Sequence, residues 1–150
     1  FPDAGVPVTQ LSVQTHLGPD HHWALGEALA PFAHEGVLIM GSGSITHNLA
    51  EFRRLPENTG EAPYVNAFRT WMADRIAARD YAALRAYRTQ APHAARAHPT
   101  EEHLLPLHVA LGAASGAARH EQLHAGVTFG VIGMDAYVFG AERLDPGQDV

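Results

Sequence analysis

The stretch GVLIMGSGSITHNL, residues 36–49, places four consecutive apolar side chains before a run of alternating glycine and serine. A continuous apolar run bounded by glycine is typical of a strand that other elements cover on both faces. The valine-rich segment 6–13 predicts a second strand, and the apolar spacing after Pro19 predicts a helix that ends at Gly36. Strand, helix and strand at this spacing predict a βαβ unit with a right-handed crossover.

Downstream of this unit the sequence pattern is helical and then strand-like. Apolar residues at helical spacing predict two helices between residues 63 and 90, and the stretch 98–116 predicts another that ends at its final glycine. The glycine-interrupted tail, residues 122–144, is rich in valine and aromatic side chains and predicts one or two bulged strands. We therefore expect residues 1–150 to form one α/β unit, with a mixed central sheet and helices on both faces.

The composition narrows the functional classes. The chain of 150 residues is 46% hydrophobic and 17% charged, which is typical of a globular protein. Its net charge of −6 disfavours binding to nucleic acid, whose phosphates it would repel. The absence of cysteine excludes disulfides and thiolate metal sites. No apolar run approaches the roughly 20 residues of a membrane span, and no signal-peptide pattern opens the chain, so we expect a cytoplasmic location.

His47 follows the glycine-rich turn after the predicted strand. Ligands in open α/β sheets bind beyond the carboxyl ends of the strands, so this position favours a side chain that faces a pocket. The dinucleotide fingerprint fails because Thr46 stands where it needs glycine, and no phosphate-binding lysine follows the turn. The structural alternative is a histidine in the first turn of a helix that bonds only to the backbone.

His103 lies in the stretch HPTEEHLLPLHVALGAA, residues 98–114. We expect Thr100 to cap a helix, with Glu101 and Glu102 in its first turn, where carboxylates suit the helix dipole. Pro106 lacks the N–H that would bond the carbonyl of Glu102, so the first turn should be irregular where His103 projects. An irregular backbone beside a histidine and carboxylates is compatible with a metal site, although no HExxH motif is present.

Three stretches, residues 36–49, 98–114 and 126–140, together resemble the C-terminal half of the class III extradiol ring-cleavage dioxygenases, most closely the DOPA-dioxygenase type. The three stretches keep the order and approximate spacing that they have in this family, and the resemblance covers essentially the whole chain. It implies a non-haem Fe(II) site, with zinc as the alternative metal, and O₂ as co-substrate. The position of the family's third metal ligand matches His103, and that of its acid/base histidine matches His47.

The resemblance also implies a small catecholic substrate that is cleaved to a muconic semialdehyde. The family's other two histidine ligands come from an N-terminal half that has no counterpart in this sequence, so we expect that half to be supplied elsewhere. We expect His124 and Tyr137 to line the substrate pocket; the alternatives are a surface strand residue and a core aromatic residue, respectively. Two other functions stay open: a non-catalytic interaction or regulatory fragment, and a zinc-assisted hydrolase. The apolar tail strands could also close a homo-oligomer interface.

Overall fold

The computed structural model describes residues 3–53, 55–117 and 119–140. It combines α-helices with short β-strands, so the mixed α/β class is confirmed. Within these residues no helix has both the length and the apolar character needed to cross a bilayer. The helices are α1 (Gly18–Ala33), α2 (Leu49–Phe52), α3 (Pro63–Ala78), α4 (Tyr81–Arg85), α5 (Tyr87–Gln90), α6 (Ala94–Ala97) and α7 (Leu105–Ala113); the strands are β1 (Thr46–His47), β2 (Arg119–His124), β3 (Val127–Thr128), β4 (Ile132–Gly133) and β5 (Ala136–Gly140).

The strands form two small antiparallel sheets. One has the order β1-β4-β3, and it pairs Thr46 with Gly133 and His47 with Ile132. The other is the antiparallel pair β2-β5, which has a bulge between Gln122 and His124. The predicted single mixed sheet is therefore two antiparallel ones across the described residues. The last four residues of the predicted strand tail, 141–144, lie outside the described part of the chain.

Helix α3 forms the centre of the core, and the sequence predicted it well. Val65, Phe68, Met72 and Ile76 follow one another at intervals of three or four residues, and each is almost completely buried. This spacing places the four side chains on one face of the helix. The helix ends at Arg79, which adopts a left-handed backbone conformation. Because of this ending the chain turns directly into α4, which packs against α3.

Helices α1 and α7 cross at close range through two glycines. A Cβ atom on Gly26 would lie 2.1 Å from the carbonyl oxygen of Val109, and one on Gly112 would lie 2.2 Å from that of Trp23. Any side chain at either position would therefore clash with backbone. The N-terminal end of α7 and the turn before it lie against the glycine-rich segment that leads to β1.

The predicted strands over 6–13 and 36–40 are wrong. Neither segment pairs with another within the described residues, and both run extended along the surface. Val8 is 90% exposed, Leu38 78% and Met40 77%. An apolar, valine-rich run has the composition of a covered strand, but only a neighbouring strand and a covering layer can make it one. The right-handed βαβ unit is consequently not formed.

The helix predicted from Thr100 begins five residues later, at Leu105. Pro106 occupies the first turn of α7, where its missing N–H costs nothing. Residues 101–104 form turns instead, and the Thr100 hydroxyl donates to the Glu102 carboxylate rather than capping a helix. His103 thus lies in a turn just before α7.

Candidate active site

His47 is the last residue of β1, and its two neighbours hold it in place. The Thr46 hydroxyl donates to the carbonyl of Val131 at 2.8 Å and accepts from the N–H of Gly133 at 2.7 Å. The Asn48 side chain accepts from the N–H of Glu51 at the start of α2. These bonds fix the backbone on both sides of His47. The residue ends a strand instead of starting a helix, and its imidazole also bonds to its own backbone, which raises its pKa.

His103 is held by backbone contact with the glycine-rich turn. The N–H of Ser44 donates to the carbonyl of His103 at 2.9 Å. A Cβ atom on Gly43 would lie 2.0 Å from that same oxygen, so only glycine permits this approach. The glycines after the predicted strand therefore serve a close backbone approach, but the partner is the turn that carries His103.

The imidazole rings of His47 and His103 lie against each other. Their centroids are 3.5 Å apart and their planes are inclined by 30°. The residues are 56 positions apart in the sequence, and the Ser44 contact brings their segments together. Two histidine rings at this distance can act on one bound molecule or on one metal ion and its ligand.

The electrostatics favour a neutral His47. Burial lowers the pKa of His47, and the adjacent His103 lowers it further, while Glu102 opposes both. The Glu102 carboxyl has a lowered pKa, mainly because it accepts a hydrogen bond from Thr100. The same carboxylate lies 3.7 Å from Nε2 of His103. Near neutral pH His47 is therefore uncharged and the nearby Glu102 is ionised. This arrangement suits His47 as a proton acceptor.

A cavity of about 470 Å³ opens beside His103. Most of its lining is apolar, including Leu107 and Leu123, and its polar groups include Asp135 and Tyr137. The Tyr137 hydroxyl is buried and has no hydrogen-bond partner within the described residues. Burial, and secondarily Asp135, raises the pKa of Tyr137, so the hydroxyl keeps its proton and can donate it. A cavity of this size suits a small aromatic molecule.

Arg69 holds the acidic group of this cavity. Its guanidinium donates to both carboxylate oxygens of Asp135, at 2.6 and 2.7 Å, and the Asp135 side chain is only 2% exposed. Such a bidentate pair orients the carboxylate and neutralises its charge. Asp135 is therefore part of the cavity wall rather than a free anion for a ligand.

The structure does not bring His124 to this site. His124 lies at the exposed end of β2, opposite Ala136, and does not line the cavity that contains His103 and Tyr137. Its ring packs near Gly126. His124 therefore occupies the position of a surface strand residue, which was the alternative to a pocket residue. Its predicted contact with the substrate stays untested.

The described residues do not form a metal site by themselves. They contain no group of three or more histidine, cysteine, aspartate or glutamate side chains arranged to hold a metal ion. His103 has a partly exposed ring and can supply one nitrogen donor. A metal ion here would need further donors from outside the described residues.

The sequence indicated no role for His98, which the structure places beside the site. His98 is completely buried, and its Nε2 lies 2.6 Å from the carbonyl oxygen of Ile45, two residues before His47. No local pattern could have found this contact, because the two residues are 53 positions apart.

Comparison with known proteins identifies the family of the chain. Residues 1–140 match the family described as the catalytic LigB subunit of aromatic ring-opening dioxygenase. A crystal structure of an uncharacterized protein from Escherichia coli K12 has the same fold, with a TM-score of 0.80 and 26% identity over 91% of this chain and 57% of that one. The chain belongs to this family of ring-opening dioxygenase catalytic subunits.

Within the family, the chain is similar to plant enzymes named 4,5-DOPA dioxygenase extradiol. It is 43% identical to the protein from Beta vulgaris over 139 residues, which are 93% of this chain and 51% of that protein. It is 36% identical to the protein from Mirabilis jalapa over 140 residues, 93% of this chain and 52% of that protein. The chain thus spans about half the length of the curated relatives that it matches.

Proposed function

We propose that this chain is the part of an extradiol ring-cleavage dioxygenase that carries its acid/base group, His47, and one metal ligand, His103. The observation that carries the proposal is the contact of the two imidazoles, with ring centroids 3.5 Å apart, beside a mostly apolar cavity. Family membership and the similarity to enzymes named 4,5-DOPA dioxygenase extradiol support it. The substrate would be a small catechol, with O₂ as co-substrate.

His103 would supply one nitrogen to a ferrous ion, and two further histidines from the rest of the protein would complete its set of ligands. When bound, such an ion supplies open positions at which a catechol and O₂ can be activated together. His103 suits this role because its backbone is fixed by the Ser44 contact while its ring stays partly exposed.

His47 would accept a proton from a catechol hydroxyl and return it later in the reaction. The ring is neutral near pH 7 because burial and His103 lower its pKa. A neutral imidazole can take a proton and later return it, which general acid–base catalysis requires. Its rigid backbone, bonded on both sides, would keep the ring aimed at one position.

Tyr137 would orient the substrate through its hydroxyl. This buried group has no partner within the described residues, and a buried unpaired polar group is costly unless a ligand pairs with it. A catechol oxygen, or a polar substituent of the catechol, would provide that partner. The apolar walls, to which Leu107 contributes, would cover the aromatic ring.

The exposed extended segments 6–13 and 36–40 would receive the remaining half of the protein. Both carry apolar side chains that face solvent, among them Val8, Leu11 and Leu38. Relatives twice as long, of which this chain matches about half, support a complementary half that covers these segments and supplies the two other histidines. A cytoplasmic location, and binding to neither membranes nor nucleic acid, are parts of the same proposal.

The test uses the chain together with that complementary half, loaded with Fe(II) under anaerobic conditions. DOPA and then air are added, and formation of the yellow ring-fission product is followed. We expect His47→Ala to abolish turnover while bound iron stays nearly unchanged, and His103→Ala to lose the iron itself. His34→Ala, which changes an exposed histidine on the far end of α1, is the control and should keep both.

Retention of full activity by both site variants would contradict the proposal. If the assembled protein instead binds zinc and hydrolyses esters or amides, the zinc-hydrolase hypothesis holds. Assembly without metal binding or turnover would identify a non-catalytic interaction fragment. A separate His124→Ala variant measures whether that exposed side chain contributes to the KM for the catechol.

A further inference from the structure

His98 is a buried polar side chain for which the proposed reaction has no use. Its exposed fraction is 0%, and its ring lies among aromatic neighbours, 5.7 Å from the ring centroid of Phe68 and 6.5 Å from that of Tyr87. Burial of a histidine here costs free energy, because the polar ring loses its hydration and needs hydrogen-bond partners in its place. A specific bond should therefore explain it.

That bond is made to the backbone of Ile45. Nε2 of His98 lies 2.6 Å from the Ile45 carbonyl oxygen, and Nδ1 has no partner within the described residues. A carbonyl oxygen can only accept, so the ring is the donor and carries its proton on Nε2. Burial lowers the pKa of His98 to about 4, so the ring is neutral near pH 7 and this tautomer persists.

The bond completes the attachment of the strand that carries His47. On one side, the N–H of Ile45 donates to the carbonyl of Gly133 in β4 at 3.0 Å. On the other side, His98 donates to the carbonyl of Ile45. The Ile45 peptide groups are thereby held from both directions, two residues before His47.

A second bond ties the other side of His47 to the same segment. The Asn48 side-chain amide donates to the carbonyl of Arg96 at 2.8 Å, two residues before His98. The segment then continues to His103, whose carbonyl accepts from Ser44. Three hydrogen bonds thus join segment 44–48, which carries His47, to segment 96–103, which carries His103. The middle one, from His98 to Ile45, is the only one of the three in which a buried side chain of segment 96–103 takes part.

We propose that His98 is a positioning residue that holds the imidazole of His47 against that of His103 through the Ile45 carbonyl. Its consequence for catalysis rests on the function proposed above, whereas its effect on the arrangement of the two rings does not. Loss of the donor would leave the Ile45 carbonyl unpaired in the interior, and the strand would shift to hydrate it. The His47 ring would then leave its place over His103.

A matched pair of variants separates the hydrogen bond from packing. In His98→Gln the amide nitrogen is as many bonds from Cβ as Nε2 of histidine, so it can still donate to Ile45. His98→Met has the same unbranched length without a donor. His98→Asn keeps an amide that is too short to reach, and it replaces the methionine variant if that one fails to fold.

The first measurement is the nuclear Overhauser effect between the ring protons of His47 and His103 in the full chain. We expect it in the wild type and in His98→Gln, and its loss in His98→Met. The second is kinetics with DOPA in the assembled iron-loaded protein. We expect kcat to fall about tenfold in His98→Met, equivalent to about 1.4 kcal/mol, with KM and iron content little changed, and to recover in His98→Gln.

Two results would overturn the inference. If His98→Met keeps the ring contact and kcat, His98 does not position His47. If the glutamine and methionine variants lose the ring contact and kcat equally, His98 acts through the packing of its ring and its hydrogen bond to Ile45 has no part in it. A wild-type protein that never cleaves DOPA would refute the proposed function alone, because the ring contact in the variants still decides the role of His98.

Discussion

Acidification should destabilise this protein in part through His98, a buried histidine whose pKa is lowered. Burial lowers the pKa of His98 from 6.5 to about 4; the Ile45 hydrogen bond opposes this shift, while the nearby His47, His103 and Arg88 add to it. Between these two pKa values the unfolded chain binds a proton that the folded chain does not. The free energy of unfolding therefore rises with pH in this window: the contribution of His98 is complete above about pH 6.5 and is lost as the pH falls towards 4.

The size of the effect follows from the shift. A pKa difference between 6.5 and about 4 corresponds to at most about 3 kcal/mol. Lowering the pH from about 7 to about 4.5 should remove about 2 kcal/mol of this, because the folded ring starts to titrate at the lower end. The side chain is completely buried, so solvent screening does not reduce the figure appreciably.

Urea unfolding measures this directly, with the fluorescence of Trp23 and Trp71 as the signal. Unfolding curves at the two pH values are compared for the wild type and for His98→Gln, which cannot titrate. We expect the wild type to lose about 2 kcal/mol more than the variant over this interval. Equal losses in the two proteins would show that His98 is not the buried base that the structure describes, and the reasoning on its tautomer would fail with it.

Three further outcomes are expected. Gly112→Ala should lower the free energy of unfolding by roughly 1–3 kcal/mol, because its methyl group would meet the Trp23 carbonyl at 2.2 Å; Gly116→Ala, where no atom lies within 4 Å, is the control, and equal melting temperatures for the two variants would contradict this. Arg69→Met should cost roughly 3 kcal/mol, because it removes the cation from the buried carboxylate of Asp135, which keeps the hydrogen bond from the neutral Gln122 amide; the double variant with Asp135→Asn should recover part of the loss, and an undiminished loss would argue against the ion pair as its cause. Chelation of the metal in the assembled protein should abolish ring cleavage, and added Fe(II) should restore it, while circular dichroism of the helices stays unchanged; a parallel loss of helix would mean that the metal also supports the fold.

Much of this protein could be predicted from short stretches of its sequence. The apolar spacing in α3 indicated the helix that forms the core, since a helix needs only its own backbone bonds and one apolar face. The resemblance to a dioxygenase family singled out His47 and His103, and the family match confirms the family. Their catalytic and metal-binding roles stay predictions that the variants above will test.

Only the tertiary structure decided which segments meet. The runs 6–13 and 36–40 have the composition of strands, yet a strand exists only where another backbone pairs with it, and within the described residues none does. No sequence pattern singled out His98, yet it is buried and bonded to Ile45, 53 positions away. Local sequence signals report bonds between near neighbours, whereas a contact at such a separation depends on the packing of the entire core, which no short pattern contains.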